Sequence, residues 1–148
     1  MPYKQYKFKF YLNSSHSIIK DGVLRDKHPH TWEISLHIVN IRKEFVPFGK
    51  IEKSVEEYFS LYQNKYLNEI KPFDVVNPTL ENMADYFKDG LSKILNDLGW
   101  VLILLEMSET PSRTYVISLL DDVELSEDQT INAFTDLFLE RLKKGNNG

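Results

Sequence analysis

Three histidines near the N-terminus are the residues whose type and spacing best suit chemistry. His28 and His30 form a His-x-His pair, and His16 lies a short distance before them. In an extended strand, residues two apart project to the same side. His28 and His30 can therefore converge on one point, and a neighbouring antiparallel strand can bring His16 beside them. Three neutral imidazoles with a fourth position open is the arrangement of a catalytic zinc. The alternative is that all three are loop residues that cap local backbone. His37, the fourth histidine, falls on the other face of its strand and reads as a surface or interface residue. The chain contains no cysteine. That excludes a disulfide scaffold, a thiolate zinc site, thiolate-held iron–sulfur clusters and a cysteine nucleophile.

Strands of the right parity must present these side chains. Tyr6 to Leu12 alternates by two, with Phe8, Phe10 and Leu12 on one face and Lys7 and Lys9 on the other. If that strand extends far enough, His16 continues its apolar face. A polar loop with Asp21-Gly22 and Asp26 follows. A second strand spans Thr31 to Asn40, with Trp32, Ile34, Leu36 and Ile38 facing one way. Beyond Pro47 and Gly49 the period becomes helical, and Val55, Phe59, Tyr62 and Tyr66 predict a helix over 51–67. A loop through Pro72 leads to a second helix that opens at Asn77-Pro78-Thr79, with Thr79 or Asn77 as its cap, and stops at Gly99. Trp100 to Met107 is a continuous apolar run, so it reads as a strand buried on both faces. Thr114 to Leu120 is a fourth strand after a turn at Pro111. Ser126 and Gln129 form a capping box for a last helix that buries Ile131, Phe134, Phe138 and Leu142. The expected class is α+β, a four-stranded antiparallel sheet with two helices between its second and third strands and an extra C-terminal helix.

Composition narrows the function. The 148 residues, 42% hydrophobic and 27% charged, suit one soluble domain over 1–148. A net charge of −4 disfavours nucleic acid as a partner. Lysines and aromatics do interleave from Tyr3 to Phe10, but a half-buried amphipathic strand accounts for them. No secretory leader is visible, and the longest apolar run, Trp100 to Leu105, is far shorter than the roughly 20 residues of a membrane helix. The expectation is a cytoplasmic protein with no membrane contact. Arg25 and Arg113 could meet a phosphate, although no glycine-rich cradle accompanies them.

Longer motifs carry a resemblance. Leu12-Asn-Ser-Ser-His16 followed by His28-Pro-His30-Thr-Trp-Glu33 resembles the two zinc-binding segments of the 6-pyruvoyl-tetrahydropterin synthase and 6-carboxytetrahydropterin synthase family. Those read Phe-x-Ala-x-His and His-Gly-His-x-Tyr-x-Val. Tyr66-Leu67-Asn68, Asn77-Pro78-Thr79-Leu80-Glu81-Asn82 and Glu109-Thr110-Pro111-Ser112 match further elements in family order. The resemblance covers about residues 6–120 and leaves 121–144 as a helical extension and 145–148 as a tail. It implies a tunnelling fold, in which subunits form ring-like trimers, often paired as hexamers, that bind pterin between subunits. It also implies zinc on His16, His28 and His30, with Glu109 and Thr110 binding the substrate.

The same resemblance marks departures. Leu24 stands where the family places a catalytic cysteine, and Tyr62-Gln63-Asn64-Lys65 stands where it places an Asp-His pair. Neither leucine nor an amide can return a proton near neutral pH. Asp26 is the candidate replacement, against its reading as a solvated loop acid. Pro29 replaces the glycine between the paired histidines. Two functions follow. One is a zinc-dependent, carbon–oxygen-lyase-like enzyme acting on a reduced pterin or dihydroneopterin triphosphate. The other is a catalytically inactive pterin-binding or assembly protein on the same scaffold.

Overall fold

In the computed structural model, which describes residues 4–42, 45–120 and 127–146, the first alternating segment forms strand β1, Tyr6–His16. Phe10, Leu12, Ser14 and His16 are buried along its inner face, and Lys7, Lys9 and Tyr11 are exposed along the outer one. A small hairpin follows, β2 (Ile19–Lys20) and β3 (Val23–Leu24), where the sequence suggests only a polar loop. Its two-residue turn is Asp21-Gly22, at φ of 54° and 75°. Positive φ at both positions matches the twist of the flanking strands, and Asp-Gly accepts it. Strand β4, His28–Asn40, then pairs antiparallel along all of β1, from Tyr6 opposite Ile38 to His16 opposite His28.

Helix α1 is Phe48–Phe59 and helix α2 is Leu80–Asp97. The chain returns as β5, Trp100–Thr110, and β6, Arg113–Ser118. The sheet order is β1-β4-β5-β6 with every neighbouring pair antiparallel. The expected mix of helices with an antiparallel sheet is met. Ile51, Val55 and Phe59 of α1 and Met83, Phe87, Leu91 and Leu95 of α2 cover Leu12, Trp32, Ile34 and Leu36 on the sheet. Phe87 sits at the centre of an aromatic group, 5.4 Å from Phe59, 5.2 Å from Tyr62 and 5.9 Å from Phe73 between ring centroids. Edge-on pairs of this kind add about 0.5–1.5 kcal/mol each beyond the area they bury.

Strand β5 is covered on both faces, as its unbroken apolar run requires. Trp100, Leu102 and Leu105 join the main core, whereas Val101 and Ile103 pack with Phe138 and Leu142 of helix α3, Glu127–Asn146. The expected capping residue Ser126 and the expected burial of Ile131 and Phe134 lie outside the described residues, as do 121–125 and 147–148. Among the described residues no helix is long and apolar enough to cross a membrane.

The expected helix over 51–67 is corrected. It ends at Phe59, and Leu67–Glu69 forms a separate single turn of 3-10 helix. Between them the chain bends at Asn64, φ 55°, and lies along the edge of β1. The Asn64 N–H donates to the Asn13 carbonyl at 2.6 Å, and the Ser15 N–H donates to the Lys65 carbonyl at 2.9 Å. The Gln63 amide accepts from the Asn13 N–H at 2.9 Å and donates to the Tyr11 carbonyl at 2.7 Å. A continuing helix would leave those edge groups of β1 unpaired. Tyr62 still points inward and is buried, so periodicity reports its burial correctly and its secondary structure wrongly.

Candidate metal centre

The β1–β4 pairing assembles the three histidines. His16 ends β1, and His28 and His30 begin β4 directly opposite His16 and Ser14. All three project to the inner face, and one ring nitrogen from each lies within 4.8 Å of the others. The Nε2 atoms of His16 and His28 are 2.8 Å apart. Trp32, two residues beyond His30, packs its indole 4.9 Å from the His16 ring and 5.2 Å from the His30 ring, which restricts both side chains.

The outward nitrogens fix the tautomers. His16 Nδ1 lies 2.8 Å from the Pro78 carbonyl, and His28 Nδ1 lies 3.1 Å from the Asp26 carbonyl. A carbonyl only accepts, so each Nδ1 carries the proton and each Nε2 of a neutral ring presents a lone pair. Two such lone pairs cannot face each other at 2.8 Å unless a cation or a shared proton lies between them. Burial pushes the His16 imidazole below its ordinary pKa, and the nearby His28 and His30 push it the same way, while the hydrogen bond to the Pro78 carbonyl and the charge of Glu109 oppose them. Burial also lowers His30, with Glu109 opposing and His28 and Arg113 assisting. Both rings are therefore biased towards the neutral form that binds a metal. The donor set and its oriented nitrogens fit a zinc ion.

Outer groups reinforce the arrangement. Asn68 accepts from the Ser17 N–H and donates to the Ser17 carbonyl, each at 2.8 Å. Asn77 does the same to Ile19, each at 2.9 Å. The chain leaving His16 is thus held by two side-chain amides that imitate a strand partner. Thr79 caps α2 by accepting from the Asn82 N–H, and the Asn82 amide donates to the Asn77 carbonyl at 2.9 Å. The Asn-Pro-Thr-x-x-Asn run therefore positions the Pro78 carbonyl on His16. Residue type suggested a helix cap there, not a histidine partner 62 positions away.

A cleft of about 330 Å³ opens beside the histidines, with His16, His28, Thr79, Glu109, Arg113 and Tyr115 among its walls. Glu109 Oε1 lies 3.5 Å from His16 Nε2 and 3.6 Å from His30 Nε2. Thr110 follows it at the β5–β6 turn, its hydroxyl 3.3 Å from that of Ser112. Arg113, suggested by the sequence only as an unplaced cation, lines this same cleft. Asp26 is exposed, and what it brings to the histidines is its backbone carbonyl. Leu24 lies exposed on β3, and Gln63 and Asn64 are engaged with β1 as described. His37 faces the other side of the sheet, with Nε2 3.5 Å from Glu106 Oε2.

A strand-paired histidine cluster that could hold a metal, a helix that begins on its outer nitrogen and a carboxylate from the third long strand sit on an antiparallel-sheet fold with known relatives. The family model for 6-pyruvoyl tetrahydropterin synthase matches residues 5–119, and the chain belongs to that family. The sequence matches no curated protein. Among solved structures, the Caenorhabditis elegans 6-pyruvoyl tetrahydropterin synthase superposes with a TM-score of 0.65 at 15% identity, over 80% of this chain and 96% of its own. An uncharacterized protein from Wolinella succinogenes gives 0.61 at 14% identity, over 79% and 98%. The Plasmodium vivax 6-pyruvoyltetrahydropterin synthase gives 0.56 at 14%, over 77% and 97%. At these identities the likeness is one of fold.

Proposed function

We propose that this chain holds zinc on His16, His28 and His30 and takes a reduced pterin, or a dihydroneopterin triphosphate-like precursor, into the adjoining cleft. The observation that carries the reading is the pair of Nε2 lone pairs 2.8 Å apart, each aimed inward by a carbonyl on its Nδ1. Zinc bound there would supply Lewis acidity towards side-chain oxygens of the substrate. Glu109 pairs with the adjacent N–H and exocyclic amine of a 2-amino-4-oxo pterin as a charge-assisted bidentate contact, and Thr110 adds a hydroxyl beside it. Arg113 places positive charge where a phosphorylated side chain would enter. Asp26, two residues before His28 and exposed to solvent, is the carboxylate proposed for proton transfer. The chain functions as a homo-oligomer, a reading supported by β6 at the sheet edge and by family membership.

A second reading has its own support. The positions that correspond to the family's proton-handling residues are an exposed leucine, a glutamine whose side-chain amide bonds the β1 backbone and an asparagine whose backbone N–H does, so the chain could bind pterin without converting it. Metal analysis of the purified protein, neopterin binding followed by fluorescence, and turnover of dihydroneopterin triphosphate separate the cases. Stoichiometric zinc with product formation supports the enzyme. Zinc and pterin binding without product at any pH supports the binding protein. Absence of zinc removes the metal reading.

A further inference from the structure

Glu109 is placed for more than a substrate contact. Four tetrahedral donors, each about 2.0–2.1 Å from a zinc ion, stand about 3.3 Å from one another. Three of the six edges of such a set are 2.8 Å for His16 Nε2 to His28 Nε2, 3.5 Å for Glu109 Oε1 to His16 Nε2 and 3.6 Å for Glu109 Oε1 to His30 Nε2, and the histidine donors all lie within 4.8 Å of one another. They straddle the tetrahedral edge, and one carboxylate oxygen is nearly equidistant from two histidine nitrogens. Catalytic zinc sites ordinarily keep the fourth position free of protein, whereas here a carboxylate oxygen stands beside two of the three histidine nitrogens.

We propose that Glu109 is the fourth metal ligand of the ligand-free protein, and that a pterin entering the cleft must draw the carboxylate off the metal. The inference rests on the metal and pterin reading given above. One carboxylate then serves two sites in turn. While the cleft is empty, the metal is closed by four protein donors. When a guanidine-like N–H pair arrives, Glu109 turns to it and leaves one metal position open. The position of Glu109 suits such an exchange, because it lies two residues before the β5–β6 turn at Pro111-Ser112 rather than in the centre of the sheet, and its side chain is part-exposed, at 18%. Metal and pterin compete for the same oxygen, so each changes how the protein holds the other.

Cobalt(II) makes the coordination visible. The wild-type protein, E109Q and E109A are each stripped, loaded with Co(II), and checked for an unchanged far-ultraviolet spectrum. Visible absorption is recorded with and without azide, a small exogenous ligand, and then with neopterin. The expected result is a wild-type spectrum that ignores azide until neopterin is added, and variant spectra that respond to azide at once. Zinc affinity by chelator competition should fall at least about tenfold in both variants, the lower end of what losing even an outer partner of a ligand costs. Equal azide responses and equal zinc affinities in wild type and both variants would overturn the exchange while leaving the three-histidine site intact. No cobalt or zinc on the wild-type protein overturns the metal reading itself, and this proposal with it.

Discussion

The Nδ1–H of His16 donates to the carbonyl of Pro78 at 2.8 Å, joining the last residue of β1 to the residue just ahead of the α2 cap. That bond selects the tautomer that leaves Nε2 facing the other histidines, and it makes the start of α2 part of the candidate metal centre. The helix is therefore a positioning element for His16 as well as a wall of the core.

The clearest consequence concerns the metal itself. H28A and H30A should each abolish stoichiometric zinc, while H37A should leave it unchanged because His37 lies on the opposite face against Glu106. Zinc at about a thousandfold its dissociation constant should stabilise wild type by about 4 kcal/mol. Melting curves with and without zinc read this directly. A zinc-dependent shift that survives in H28A would place the metal elsewhere.

Asn77 offers a test of the outer layer. N77A removes two hydrogen bonds to Ile19, at 2.9 Å each, without touching a histidine. At about 0.5–1.5 kcal/mol per bond, destabilisation of about 1–3 kcal/mol is expected in urea. Zinc affinity should drop about 10-fold, since the chain leaving His16 loses one of its two restraints and keeps that of Asn68. Loss of stability with unaltered zinc affinity would confine Asn77 to a structural role.

Capping can be separated from this. T79A removes the acceptor for the Asn82 N–H and should cost about 1 kcal/mol, with T79S close to wild type. Urea midpoints for the three proteins measure the difference, and an unchanged midpoint in T79A would show that the cap contributes nothing net.

Acid should weaken the metal-free fold. His16 and His30 protonate below 6.5 when folded because burial disfavours their charge, whereas in the unfolded chain they protonate near 6.5. Between those values the unfolded state binds more protons, so stability is full above about pH 6.5 and declines as pH falls through and below it. The urea midpoint should drop between pH 7.5 and 5.5, and H30Q should remove part of that drop. Equal midpoints at the two pH values would show that neither imidazole is kept neutral.

Much of this could be read along the chain, and the reason is local geometry. Strand parity alone puts His28 and His30 on the face of Trp32, and alternation carries His16 onto the face of Phe10 and Leu12. Proline, threonine and glycine mark the ends of α2 because their backbone preferences act over a few residues. The motifs that carry the family resemblance lie in these same segments.

Other features came only from the tertiary structure. Gln63 and Asn64 occupy a helical pattern, yet they leave the helix because the edge of β1, fifty residues earlier, offers unpaired backbone groups. The partners of the histidine Nδ1 atoms are carbonyls of Pro78 and Asp26, and a backbone carbonyl is the same in every residue, so no residue type announces it. The approach of Glu109 to His16 and His30 depends on the β4–β5 register, which sets Glu33 opposite Ser108 and so brings the end of β5 over the start of β4. By itself the sequence determined which side chains share a face, since that is a property of one strand. Their separations and protonation states, and the carboxylate beside them, were decided by contacts between segments far apart in the chain.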